Sequence, residues 1–362
     1  MDNYDYIVVG GGLAGCCLAW ELHFQNKNVA VIADAENNST LVAAGLFNPI
    51  TGKMLSKTWQ AEKLFATLHE FYRKIEEQTG SDFFIELPIY RPFISIEEQN
   101  NWMALSENPG LQNFIEKVFI RPSGFEAVLD PFGGIVVKQA GFIRTDIFVE
   151  ATKEYFKKKG KWKTEKVNYN DFIFSETKEQ ITYKDSIAEK VIFCEGVSSL
   201  QNPWFSWVPV RPLKGETLTV ETTLSKEIIL NRGVYAVPQM ATDKFKIGAT
   251  YDHQIENQGI TEKAKNELLQ KWEMIHNKPT KVLSQQWGIR PTSPDRKQIL
   301  GLHPLFKTIG ILNGLGTKGV SLAPFAAKVL VEFLNGKQPD QTYQTLSLNR
   351  YYSLYWKSVN KA

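Results

Sequence analysis

Three cysteines in 362 residues cannot build a disulfide scaffold, and two of them, Cys16 and Cys17, are neighbours in the chain. Such scarcity points to a reducing compartment. The five histidines (His23, His69, His253, His276, His303) are scattered, with no pair at metal-ligand spacing. Neither a Gly-x-Ser-x-Gly elbow nor a Gly-Lys-Ser/Thr phosphate loop occurs, so the sequence supports neither α/β-hydrolase nor P-loop chemistry. Charge is nearly balanced, 42 Lys+Arg against 39 Asp+Glu, which is too mild to imply a nucleic-acid or membrane partner by electrostatics alone. There is no run of about 20 apolar residues to span a bilayer. Met1–Asp5 holds two aspartates and no base, and the apolar run Tyr6–Val9 stops at three glycines. That start does not match a signal peptide, and a cytoplasmic protein is expected.

What is present is a large apolar fraction, 43%, with 22 Phe, 13 Tyr and 9 Trp. This length and composition suit one large two-lobed enzyme. Tyr6–Val9 reads as a strand buried on both faces, Leu13–Phe24 as a helix and Val29–Ile32 as a second buried strand. This βαβ opening predicts a parallel, doubly wound sheet. Further helices are predicted over 59–79, 145–159, 261–275 and 322–334. Prolines at 88, 92, 109, 122 and 131 predict short strands and loops over 83–137. Strands are expected at Val191–Cys194, Thr217–Glu221, Gly233–Val237, Phe245–Thr250 and Ile309–Leu312. Pro203–Val208 reads as core packing rather than a docking surface. Nucleotide-fold material at both ends, with β-rich stretches between, predicts an α/β fold: a discontinuous Rossmann-like domain (1–85, 140–208, 286–362) and a mostly antiparallel substrate domain (86–139, 209–285).

Gly10-x-Gly12-x-x-Gly15 lies directly between a buried strand and a helix. In that context Gly10 permits a tight turn, Gly12 lets backbone approach a pyrophosphate, and Gly15 lets helix and strand pack closely. The helix start then offers N–H groups and partial positive charge to phosphates. The usual ribose-gripping position falls on Ala33, with Asp34 one residue later, so either Asp34 or a backbone group holds the ribose. No arginine stands there for a 2′-phosphate, which argues against NADP.

The chain resembles the FAD-dependent oxidases and dehydrogenases related to D-amino acid oxidase, glycine oxidase and sarcosine oxidase. Val8–Gly15, including Leu13 and Ala14, resembles the opening fingerprint. Ala43-Ala44-Gly45-Leu46 resembles the loop past the flavin ring, Val167 falls at the backbone contact to adenine, and Phe193–Gly196 resembles the second glycine-ended strand. Pro212–Glu216 is similar to the link into the substrate domain. Tyr235–Pro238 with Lys246–Thr250 resembles the paired pocket strands, and Trp287–Pro291 with Thr292–Asp295 resembles the arginine motif. Asn313-Gly314-Leu315-Gly316-Thr317-Lys318-Gly319 resembles the carboxy-terminal flavin loop.

The resemblance implies non-covalent FAD and oxidation of an amino acid or N-substituted glycine. The C–N bond would become an imine, with hydride to flavin N5 and reoxidation by O2 or another acceptor. Arg290 would bind the substrate carboxylate. Tyr235 would donate to that carboxylate or wall the pocket, unless it is a plain core tyrosine. Lys246 would promote oxygen reactivity, unless it is solvated, and Lys318 adds charge near the ring or lies in solvent. Other stretches, such as Gly248–His253 and Leu315–Gly319, also resemble the FAD domain of the bifunctional tRNA wobble-uridine modification enzyme. A tRNA substrate, or an electron-transfer protein that does not use O2, is therefore an alternative reading.

Overall fold

The computed structural model describes residues 1–34, 39–51, 56–175, 179–253 and 258–359. The amino-terminal apolar run forms the strand Asp2–Val9, parallel to Val29–Ala33 on one side and to Ser186–Phe193 on the other. Trp162–Thr164 extends this sheet beyond Val29–Ala33, and Ile309–Asn313 lies parallel to the end of Ser186–Phe193. Successive side chains of a strand point to opposite faces. Tyr6 and Val8 accordingly join the core beneath the helices Leu13–Phe24 and Gly319–Leu334. Ile7 and Val9 join a second, aromatic layer containing Phe172, Phe193 and Phe205. Within the stretch Pro203–Val208, Phe205 and Val208 are buried in this layer, while Trp204 and Trp207 are half-buried and Pro203 and Ser206 are exposed.

A second sheet has eight strands. Its order is Thr280–Thr292, Arg211–Thr222, Lys244–Gly248, Val234–Gln239, Ile229–Arg232, Ile89–Pro92, Gly134–Val137, Ile115–Phe119. Every neighbouring pair is antiparallel except Ile229–Arg232 with Ile89–Pro92. One face buries Leu218, Val220, Leu230, Ala236, Phe245 and Ile247 against Leu268 and Trp272 of the helix Glu262–Glu273. The other face joins the core of the first sheet through Ile89, Ile135, Val137, Ile229 and Val237. A small antiparallel sheet of Leu46–Phe47, Gly141–Ile143 and Phe84–Glu86 adds Phe47, Phe84, Phe142 and Ile143 to the same core.

Two features depart from the reading of the sequence. The proline-rich stretch 83–137 contains a helix, Ile96–Ser106, and a helical turn, Pro109–Gln112. Ser95 caps the longer one by accepting the Glu98 N–H at 3.1 Å, and Pro109 occupies a first-turn position where its missing N–H costs nothing. The expected domain boundary at 286 falls inside a continuous strand, because Thr280–Thr292 pairs along its whole length with Arg211–Thr222. No helix among the described residues is long and apolar enough to cross a membrane.

His303 closes the aromatic layer. It is buried against Phe205 and Tyr355, and its Nδ1 accepts the N–H groups of Leu305 and Phe306, each at 3.2 Å. Burial, reinforced by the charge of Lys307, pulls its pKa down to about 4. A histidine depressed in the folded state stabilises fully above its unfolded pKa of about 6.5, and that stability is lost as pH falls toward 4. Unfolding free energy should therefore fall by roughly 3 kcal/mol across that window on account of this residue. His303→Asn, measured by urea denaturation at pH 7 and pH 4.5, should show a correspondingly shallower loss.

Candidate active site

The glycines after the first strand are dictated by contact. Gly10 has φ +114°, and a Cβ there would lie 2.4 Å from the carbonyl oxygen of Cys194. A Cβ on Gly15 would lie 1.8 Å from the carbonyl oxygen of Gly10. No other residue type fits, and the helix Leu13–Phe24 therefore starts hard against the strand ends. Gly12 is its N-cap and supplies no capping side chain. The Leu13 N–H instead donates to Thr40 Oγ1 at 3.2 Å, so Thr40 marks the anion-attracting position at this helix start. Ala14 and Gly15 complete a first turn without bulky groups. Asp34 is exposed immediately after the strand end at Ala33. The Glu165 N–H donates to Ala33 O at 2.9 Å, which brings the segment leading to half-buried Val167 alongside.

The carboxy-terminal loop arrives beside this one. Asn313 is buried, and its Nδ2 donates to Gly196 O at 2.8 Å and Ser199 Oγ at 3.0 Å, while its Oδ1 accepts Gly314 N–H at 2.8 Å. It is thus a brace between two loops. The Gly316 N–H donates to Pro291 O at 2.9 Å, and Thr317 is exposed. Lys318 is the N-cap of Gly319–Leu334 and gives that helix no side-chain cap. Its Nζ donates to Thr51 Oγ1 at 2.5 Å, and burial lowers its pKa, with Arg296 acting in the same direction. A Cβ on Gly319 would lie 2.9 Å from Leu13 Cδ2. Two helix starts without side-chain caps are therefore neighbours, although their sequence positions lie at opposite ends of the chain.

The residues expected at the substrate all project from one face of the second sheet. Tyr235 pairs with Gly248 and Val237 with Lys246, and Gly248 in turn pairs with Thr217. Leu213 pairs with Arg290, which puts Arg290 on the face of Gly215 and Thr217. Its guanidinium lies against Gly215, where a Cβ would be 2.1 Å from Nη2. Nη1 donates to Thr250 O at 3.1 Å, and Tyr251 stacks 5.0 Å away. Among the described residues Arg290 forms no ion pair. The Tyr235 hydroxyl reaches over Gly248, where a Cβ would lie 2.5 Å from it, and faces the backbone of Ala44. Burial pushes its pKa up to about 12, so it remains a protonated donor. Lys246 Nζ donates to Val42 O at 3.2 Å; burial lowers its pKa and the charge of Asp146 opposes that shift. Gly45 joins this wall to the strand Gly141–Ile143, accepting the Ile143 N–H at 3.0 Å, with Leu46 following in the same small sheet.

Thr40 was missed in the sequence, whereas Thr250 and Tyr251 lie within the stretches Lys246–Thr250 and Gly248–His253 but were given no role of their own. Thr40 carries no local signal, since its partner lies 27 residues away.

The sequence matches the family model described as DAO, FAD dependent oxidoreductase, over residues 5–333, and the chain belongs to that family. It is 23% identical over 377 residues to the bifunctional protein ThiO/ThiG of Trichormus variabilis, covering 96% of this chain and 55% of that protein. It is 26% identical over 157 residues to the glycine oxidase of Pseudomonas aeruginosa, covering 42% of this chain and 43% of that one. The chain spans about half the length of the curated relatives it matches. The crystal structure of glycine oxidase from Geobacillus kaustophilus has the same fold, with a TM-score of 0.75 at 17% identity over 96% of this chain and 99% of that one.

The residues present fit the family's cofactor, FAD. The backbone at Gly10 and Gly15 leaves no room for a side chain, and the two adjacent helix starts have no side-chain caps of their own. Gly15→Val should weaken FAD retention by at least about 100-fold, equivalent to about 2.7 kcal/mol. Flavin released from the purified variant and from wild type, measured by fluorescence, checks this; equal stoichiometry would remove the helix start from the binding site.

Proposed function

We propose that the chain oxidises the C–N bond of an amino acid or N-substituted glycine to an imine, which water then hydrolyses. The observation that supports it most directly is Arg290, a half-buried guanidinium fixed by backbone carbonyls on a rigid strand, with no carboxylate partner among the described residues. Carbonyl oxygens orient that cation without neutralising it. A planar fork held in this way matches a substrate carboxylate bidentately and fixes the neighbouring Cα–H in one direction. The glycine oxidase names among the relatives and structural neighbours point to the same substrate class.

Tyr235, protonated and adjacent to Arg290, donates to the same carboxylate. Gly10, Gly12, Leu13, Ala14 and Gly15 hold the pyrophosphate, Asp34 and Val167 flank the ribose and adenine, and Ala44–Leu46, Gly196 and Asn313–Gly319 surround the ring. Lys318, and the helix start that it caps, place positive potential where negative charge develops on reduction. Lys246 stands in a poorly solvated wall, where a positive charge would favour reduction of dioxygen. Bound FAD supplies the two-electron acceptor, with dioxygen as the terminal oxidant and hydrogen peroxide as the product.

The purified protein should be yellow and should bleach anaerobically with one or more of glycine, sarcosine, proline or the free amino acids of both hands. Arg290→Ala should lower kcat/KM for that substrate by about 30-fold or more, the equivalent of roughly 2–5 kcal/mol, chiefly through KM. A flavin that no amine bleaches, or an unchanged KM in the variant, would refute the assignment.

A further inference from the structure

Tyr251 has no part in the reaction above, although it lies against the guanidinium on which that reaction depends. Its ring centroid is 5.0 Å from Arg290 Cζ, within the range of a cation–π contact. The backbone holds it on both sides. Before it, the Thr250 N–H donates to Glu216 O at 3.2 Å, and Thr250 Oγ1 accepts the Glu216 N–H at 2.9 Å. After it, Lys214 and Asp252 exchange backbone bonds of 2.9 and 3.0 Å. The ring therefore stands over Arg290 on a segment anchored to the same strand, Arg211–Thr222, that carries Gly215 beneath the guanidinium.

The donors of Arg290 are unequally used. Nη1 faces two backbone carbonyls, Thr250 O at 3.1 Å and Lys214 O at 3.5 Å. Nε and Nη2 have no hydrogen-bond partner among the described residues. On the sheet side Gly215 is in contact with the group, since a Cβ there would lie 2.1 Å from Nη2 and 2.4 Å from Cζ. The edge left for a ligand is the one formed by Nε and Nη2, whose parallel N–H bonds lie in the guanidinium plane. A carboxylate meets such an edge with both oxygens in that plane. A tetrahedral oxyanion that does the same has its other substituents above and below the plane, so one of them is driven to the side of the ring. An oxygen there meets both the bulk of the ring and its negative face.

We propose that Tyr251 is a specificity residue that restricts the approach to Arg290 to a planar anion, so that the site takes carboxylates and rejects sulfonates and phosphonates. This rests on the reading of Arg290 as the carboxylate site. It goes further by naming the edge that the carboxylate occupies, Nε with Nη2, and the residue that screens what reaches it. Rejection by an obstructing group is a separate device from attraction by the charge, and the two are measurable apart.

The holoenzyme should be titrated with acetate and methanesulfonate, which share a methyl group and a single negative charge at neutral pH, reading both flavin absorbance perturbation and calorimetry. Acetate should bind about tenfold or more tightly. Tyr251→Ala should bring that ratio to about threefold or less by admitting methanesulfonate, whereas Tyr251→Phe, which keeps the ring, should keep the ratio. The Tyr251 side chain is 63% exposed, so its truncation opens no core. Equal affinity for the two anions in wild type would overturn the proposal. So would a ratio that stays above about threefold in Tyr251→Ala, because the preference would then come from the basicity of the anion and not from the ring. Acetate binding that is lost in Arg290→Gln supports the underlying reading separately; acetate that binds Arg290→Gln as well as wild type would overturn that reading and the proposal with it.

Discussion

The structure depends on one steric constraint: the ends of the strands Asp2–Val9 and Ser186–Phe193 run so close that backbone touches backbone. Gly10 meets Cys194 O, and Gly15 meets the carbonyl of Gly10. The helix Leu13–Phe24 has nowhere else to begin, and its first turn becomes a wall of the site. Gly319 then fits against Leu13, which brings the start of the last long helix to the same place. Asn313 locks the arrangement by bonding Gly196 and its own loop at once. An amide spanning two loops is satisfied only when both are in position, so burying it ties the carboxy-terminal loop to the amino-terminal half.

The sheet face that carries Arg290 is supported from behind by a buried ion pair. Lys214 and Glu216 are buried on the opposite face of the strand that carries Gly215, with Nζ 3.1 Å from Oε1. Glu216 also accepts from Thr261 N–H and Oγ1, each at 2.9 Å, and from Gln285 Nε2 at 2.7 Å. The backbones of Lys214 and Asp252 exchange bonds of 2.9 and 3.0 Å, and Thr250 Oγ1 accepts the Glu216 N–H at 2.9 Å. Burying an ion pair is costly in itself and is weak evidence of stability. Here it clamps the segment whose Thr250 carbonyl orients Arg290. The sequence motif Pro212–Glu216 therefore reads as support for the guanidinium behind it.

The parts of the site that were legible in the sequence are those with local causes. Glycines between an apolar strand and an apolar helix suggest a phosphate-binding turn, and the apolar run Ile309–Leu312 followed by glycines suggests a second glycine-rich turn that feeds a helix. The helix Ile96–Ser106 was obscured by flanking prolines, although Ser95 and Glu98 spell a capping signature that outweighs them. The strand Thr280–Thr292 lacked a clean apolar alternation, because few of its residues are fully buried and its partner strand supplies the core. Asp34 could be placed at the end of a strand but not assigned to the ribose, since reach depends on twist. The parallel pairing of Ile229–Arg232 with Ile89–Pro92, about 140 residues apart, could not be read either, because no local pattern encodes which residues a sheet will set side by side.

The division of labour between loops and strands follows from what each must do. A dinucleotide is large and carries its own chemistry, so loops that present amides to it need only converge, and glycine-rich turns achieve this with few side chains. A small amine must be oriented to within a fraction of an ångström, and side chains rooted on long paired strands hold such tolerances better than loops. Arg290, Tyr235 and Lys246 are rooted there, on one face of a sheet whose neighbouring positions Ile89, Ile229 and Val237 are buried apolar residues.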